Sequence, residues 1–269
     1  MAADHTPKRT SMSMRKPCTL VTVTAPAVAL WLAPIPAAGQ ALPRSSDGKP
    51  DLTGVWQAVN TAAWDILPHG AQFGIPAGLG VVEGDALPYN AEGAAKQREN
   101  FANRATADPE SKCFLPGVPR ATYMGVPFEI LQTPTQISMF YESAHTLRNV
   151  FMNTPHLEGP IEFWMGDSRG RWEGDTLVVD VTSLDDTTWL TDNGAFHSLQ
   201  TRVVERIRRD GNNLHYEATV HDPEVLVEPW KVNGRVLPLM TNYEIEEAPH
   251  CRERDATELP IDGFHGNIR

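Results

Sequence analysis

Residues 164–205, WMGDSRGRWEGDTLVVDVTSLDDTTWLTDNGAFHSLQTRVVE, place turn chemistry, strand alternation and reactive polar side chains in one stretch. They predict consecutive antiparallel strands that carry a site. Glu173-Gly174 suits a tight hairpin turn between residues 169–172 and 175–180, because glycine tolerates the positive φ that such turns require. With that turn Asp167 comes opposite Asp180, on one face with Arg169 and Arg171. That set is either a solvated charge ladder or a carboxylate pair at the mouth of a barrel.

The rest of the chain supports a β-rich reading. Twenty-two prolines and 20 glycines favour short strands and shaped loops over long helices. At 269 residues, one dominant domain is the simplest organisation. The formal charge of −11 repels nucleic acid and anionic headgroups, so a small organic ligand suits the chain better than a polyanion.

The first 41 residues read as a secretory signal: Arg15-Lys16, an apolar run over 20–38, and the small residues Gly39 and Ala41 before a cleavage point. The expected location is periplasmic or extracellular, with no membrane association after cleavage. Cys18 leaves with the signal, so Cys113 and Cys251 remain as an even pair for one disulfide in an oxidising compartment, or as two thiols. Such a bond closes a long loop, worth about 4 to 5 kcal/mol by chain entropy.

Residues 42–126 form an N-terminal extension. It holds a short strand over 52–59 with Trp56 as a barrel plug, a loop over 61–90 suited to a lid, and one peripheral helix over 91–102 capped by Asn90. From 127 to 269 the texture is β. Residues 128–132, the turn 133–135 and residues 136–142 form a hairpin. If Ala144-His145 is the next turn, Tyr141 faces Arg148, Met139 faces Val150 and Arg148 points inward. Pairing Arg209 with Leu214 across the turn 210–213 puts Val203, Glu205, Ile207, Tyr216 and Ala218 on the apolar face, with Arg206 opposite Glu217 outside. Two further strands over 225–232 and 235–246 flank a turn at Gly234. The expected fold is a mainly β, antiparallel barrel with a long N-terminal loop region and one short helix.

The spaced elements GDSRGRWEGDTLVVD, TTWL..NG.FHS, VVER, YE.TV.DP and PW between Gly166 and Trp230 resemble a largely uncharacterised family of secreted bacterial proteins. That resemblance spans residues 48–253 and implies a calycin or lipocalin-like barrel and export. It supplies no substrate and no catalytic residue.

A barrel of about eight strands has an interior wide enough for side chains or one small ligand, so inward polar residues draw attention. Glu205 sits among Val203, Ile207 and Tyr216, and Arg148 beside Tyr141 can answer its charge. A structural pair closing the barrel is the plainer reading. His197 shares parity with Glu205 if residues 197–207 are extended throughout, which gives a general acid/base pair. Alternatively it lies in a loop and bonds a backbone carbonyl. Trp164, Trp172, Trp189 and Trp230 could line an aromatic pocket or fill the core.

No G-x-S-x-G elbow, phosphate-cradling loop or dinucleotide fingerprint occurs, and none of the nine histidines forms an H-x-H or H-E-x-x-H pair. No metal and no cofactor are expected. Two functions fit these residues. One is a cofactor-free lyase, hydratase or isomerase acting on a hydrophobic, aromatic small molecule, with His197, Glu205, Arg148 and Tyr141 as its machinery. The other is a non-catalytic carrier for such a molecule, and self-association is compatible with both. A structural envelope protein with a packed interior is a third alternative.

Overall fold

The computed structural model describes residues 42–62, 64–71, 76–84 and 86–246. Residues 1–41, the expected signal, lie outside them, as do Cys251 and the C-terminal end. The chain is mainly β and forms a nearly closed barrel of nine strands in strict sequence order: β1 (Gly54–Trp56), β2 (Phe128–Gln132), β3 (Gln136–Tyr141), β4 (Thr146–Met152), β5 (Asp167–Glu173), β6 (Thr176–Thr182), β7 (Arg202–Asp210), β8 (Asn213–His221) and β9 (Trp230–Pro238). The two ends of the sheet approach where Trp56 bridges Leu239 and Met240 N donates to Val55 O at 2.8 Å.

Strand alternation builds the core. In β7 and β8, Val203, Glu205, Ile207, Leu214, Tyr216, Ala218 and Val220 are buried, and Arg209 pairs with Leu214 as the hairpin turn predicts. Each large apolar side chain removed from water contributes about 1.5 to 3 kcal/mol. Val178 faces outward on β6 and is nonetheless fully buried. Its cross-strand partners Arg171 and Arg206 both bond Glu173, which brings two long side chains together beside it.

Two hairpins differ from expectation by an even slip. The β5–β6 turn is Gly174-Asp175, with Glu173 paired to Thr176, so Asp180 lies opposite Arg169 and Asp167 opposite Thr182. Gly174 takes φ 61° at the first turn position, where a primed turn needs a positive value. Between β3 and β4 the loop has four residues rather than two, so Tyr141 pairs with Thr146 and Met139 with Arg148. A slip of two keeps every side chain on its face, and Arg148 still points inward.

Three other features depart from the predicted layout. Strands β4 and β5 pair in parallel over Val150–Met152 and Ser168–Gly170. Their 14-residue connection is long enough to return the chain to the same end. The expected turn at Gly234 is absent; β9 runs through it, and Asn233-Gly234 form a bulge opposite Glu217. The strand around Trp56 is short, yet Trp56 is fully buried, with Nε1 donating to Leu52 O at 2.9 Å.

Outside the barrel, α1 (Ala91–Ala107) begins at Asn90, whose side chain accepts from Gly93 N at 2.8 Å. It runs five residues past the predicted end and stops at Asp108-Pro109, where the Asp108 side chain caps a 3₁₀ turn over Pro109–Lys112. The one-turn helix α2 (Arg120–Tyr123) is wholly buried. Instead of lying open as a lid, the described part of 61–90 packs on the barrel: Ile66, Val81 and Val82 join the core, and Val82 bridges Val232 of β9.

Candidate functional site

Four strands contribute to a polar cluster inside the barrel. Arg148 Nη1 donates to Glu205 Oε1 at 3.2 Å, its Nη2 to Oε2, and its Nε to Ser168 Oγ at 3.0 Å. Tyr216 Oη donates to Glu205 Oε1 at 2.8 Å. Burial alone would lower the pKa of Arg148, but the Glu205 charge reverses this and holds the guanidinium more firmly protonated. Burial, and then Glu205, push the Tyr216 phenol well above its ordinary range. Tyr141 lies 3.0 Å from Thr122 Oγ1 of α2, its phenol raised by burial. The Nε, Nη1 and Nη2 donors of the guanidinium and both carboxylate oxygens are thus engaged by the protein itself, as buried charges need.

His197 does not share this cluster's hydrogen bonds. The chain turns at residues 199–200 before β7 begins at Arg202, so the parity that links His197 to Glu205 is broken. The Asp222 carboxylate organises that turn, accepting from Ser198 N at 2.7 Å, Ser198 Oγ at 2.8 Å and Thr201 Oγ1 at 2.6 Å. The buried His197 ring has Nδ1 3.1 Å from Ser198 O and Nε2 2.6 Å from Thr188 Oγ1. Burial lowers its pKa, partly offset by the Ser198 carbonyl and Asp222. A carbonyl only accepts, so Nδ1 carries the proton; Thr188 Oγ1 also lies 3.1 Å from Asp185 O, and its one proton serves either that carbonyl or Nε2.

The segment holding Thr188 and His197 forms one wall of a groove outside the barrel, about 260 Å³ in volume. Its aromatic lining is Phe114, Trp189 and Phe196, and Lys96, Lys112 and Asp186 also border it. Trp189 and Phe196 are bridged backbone to backbone, and Phe196 stacks on Tyr89 with centroids 5.3 Å apart. The opposite wall is α1. The two walls meet at Gly194, where a Cβ would lie 2.6 Å from Phe101 N, and Asn100 Nδ2 donates to Gly194 O at 3.2 Å. Of the four tryptophans proposed as a pocket, Trp189 lines this groove and Trp164 packs against Phe114, centroids 4.9 Å apart. Trp230 belongs to the core and Trp172 packs against it.

Beside the groove lies a second buried charge cluster that sequence reading misses. Arg120 of α2 is 1 % exposed, 3.0 Å from Glu110 and 3.7 Å from Asp108, and its Nη1 donates to Trp189 O at 3.5 Å. Asp192 belongs to the same field. Burial, eased by Arg120 but aggravated by Asp108 and Glu110, pushes its carboxyl up to about 7. Burial likewise raises Glu110. One guanidinium cannot neutralise three carboxyls, so the cluster favours retaining a proton. These residues sit in loops and single helical turns too short to show a period; the sequence signals are Asp108-Pro109 as a cap and a lone Arg120 in an apolar run.

The Asp167–Asp180 pair is not a ladder open to solvent. Asp167 is buried; it accepts from Arg169 Nη2 at 2.6 Å and from Leu157 N at 3.0 Å, and its Oδ2 lies 2.8 Å from His156 Nδ1. Burial would raise its pKa, but these bonds hold it below the ordinary carboxylate value. Asp180 takes two bonds from Arg202, at 2.8 and 2.7 Å. The expected Cys113–Cys251 bond falls on Cys251, outside the described residues. Among the described residues no group of three His, Cys, Asp or Glu is placed to hold a metal, and no helix is long and apolar enough to cross a membrane.

A scan against models of known protein families gave no match, and a search of curated proteins gave none. Among solved structures, one likeness is to secretory abundant heat soluble protein 4 from Ramazzottius varieornatus, at 12% identity and a TM-score of 0.31, covering 70% of this chain and 94% of that one.

Proposed function

We propose that the chain is an exported small-molecule-binding barrel protein whose hydrophobic, aromatic ligand sits in the groove between α1 and residues 187–196, outside the barrel. The carrying observation is the convergence of Phe114, Trp189 and Phe196 on one opening. A few aromatic walls with convergent polar groups are what small-molecule sites are made of. The barrel interior, by contrast, is occupied by Trp56, Phe128, Met139, Tyr141 and the Arg148–Glu205 pair. In this reading those residues shape and stiffen the scaffold, and the signal over 1–41 delivers the chain to the periplasm or beyond.

A second reading keeps an acid/base lyase, hydratase or isomerase. It is favoured by the 2.6 Å contact between Thr188 and His197 directly behind the groove wall, with a neutral imidazole and Asp192 near its midpoint at neutral pH. Ligand-observed NMR with a panel of aromatic acids, phenols and terpenoids, followed by mass spectrometry of the mixtures, separates the two. Saturable binding without product supports the binder; product formed over time supports the enzyme. Absence of binding by every compound contradicts both.

A further inference from the structure

We infer that the ligand of this groove is an aromatic acid whose carboxylate is met by Lys96 and Lys112. The inference rests on the binding reading above and names the ligand's chemistry. The chain as a whole repels anions, with a formal charge of −11. The groove's own lining departs from that average, with two ammonium groups against one carboxylate, Asp186, while Glu99 pairs with Lys96 and the Asp108–Glu110–Asp192 cluster lies beside it.

The two lysines come from different elements. Lys96 projects from the middle of α1, and Lys112 ends the 3₁₀ turn that follows it. Lys96 shares its charge with Glu99, but that contact is 3.3 Å long between side chains each more than half exposed, and such pairs are weak enough to be exchanged. No other polar group on the rim competes as strongly for an acid. The Asn100 amide is turned to Gly194 O, and the Thr187 hydroxyl to Asp185.

Size narrows the ligand further. A volume of about 260 Å³ lies just under the roughly 300 to 1,000 Å³ of sites for drug-sized molecules, which suits one ring or two fused rings with a short acidic arm. The ring would lie against Trp189, Phe196 and Phe114, of which Trp189 is 7 % exposed and Phe196 already stacks on Tyr89. The acid remains at the lysine rim, in contact with water, which avoids burying its charge.

The test is isothermal titration of the full-length protein with three probes of one shape: 2-naphthoate, 2-naphthamide and 2-naphthylmethylammonium. At low salt the acid is expected to bind about tenfold more tightly than the amide, and the amine more weakly than both. Lys112→Gln and Lys96→Gln, both at exposed positions, are each expected to weaken the acid about fivefold while leaving the amide unchanged. Salt at 0.5 M should erase most of the acid's advantage. Equal affinity for acid and amide, or preference for the amine, overturns the acid assignment and leaves the binding reading standing. Failure of all three probes overturns both.

Discussion

Arg148 and Glu205 meet across the barrel interior from β4 and β7, strands separated in the sheet by β5 and β6, with two guanidinium nitrogens on two carboxylate oxygens. The contact ties non-adjacent parts of the wall together. Its removal from one side leaves a buried charge without an answer. Glu205→Ala should therefore cost about 3 to 5 kcal/mol in urea denaturation, whereas the double variant Arg148→Met/Glu205→Leu should lie much closer to the parent. A Glu205→Ala loss under about 1 kcal/mol would show that the pair does not stiffen the barrel.

His197 predicts a pH dependence. Its folded pKa lies below the unfolded value of about 6.5, so below that pH the unfolded chain binds the extra proton and stability falls. Stability from this group is therefore complete above about pH 6.5 and is lost as pH falls below it. His197→Asn should lower stability at pH 7.5 by about 1 to 3 kcal/mol, through the lost Thr188 and Ser198 bonds, and should flatten the decline between pH 7 and 5. Denaturation midpoints at several pH values measure both effects, and an unchanged slope contradicts the assignment.

Asp192 has the opposite sign. Its carboxyl is raised to about 7, so between the ordinary aspartate value and 7 the folded chain holds the extra proton, and stability falls as pH rises through that window. Asp192→Asn should relieve this, gaining up to about 4 kcal/mol over the parent at pH 8 and little at pH 4. Thermal melts across pH 4 to 8 decide it; a gain independent of pH would assign the effect to something other than ionisation.

What the sequence made legible was periodicity and turn chemistry. The β7–β8 register follows from Gly211 in a polar turn and clean alternation on either side, and the inward aim of Arg148 and Glu205 follows with it. Parity survived two wrong turn positions, at Gly174 and at residues 142–145, because both errors were even. It failed at His197, where a turn held by the distant Asp222 interrupts the strand; no local pattern near 199–200 announces a carboxylate 24 residues away. The groove was hidden for a related reason. Phe114, Trp189 and Lys96 are brought together by the docking of α1 on residues 191–194, a contact between aperiodic segments. The Arg120 cluster likewise depends on one buried turn of helix that sits between the barrel and the loops.

Binding in the aromatic groove, outside the barrel, is the proposal on which the others depend. The most direct measurement is the dissociation constant of a bound aromatic acid for the parent, for Phe114→Ala and for Tyr141→Phe. Phe114 is a half-buried groove wall, and Tyr141 lies in the barrel interior. Binding to Phe114→Ala is expected to be at least about tenfold weaker, in line with the loss of one aromatic anchor, and binding to Tyr141→Phe unchanged. Undiminished binding to Phe114→Ala together with weakened binding to Tyr141→Phe would place the ligand inside the barrel and contradict the proposal.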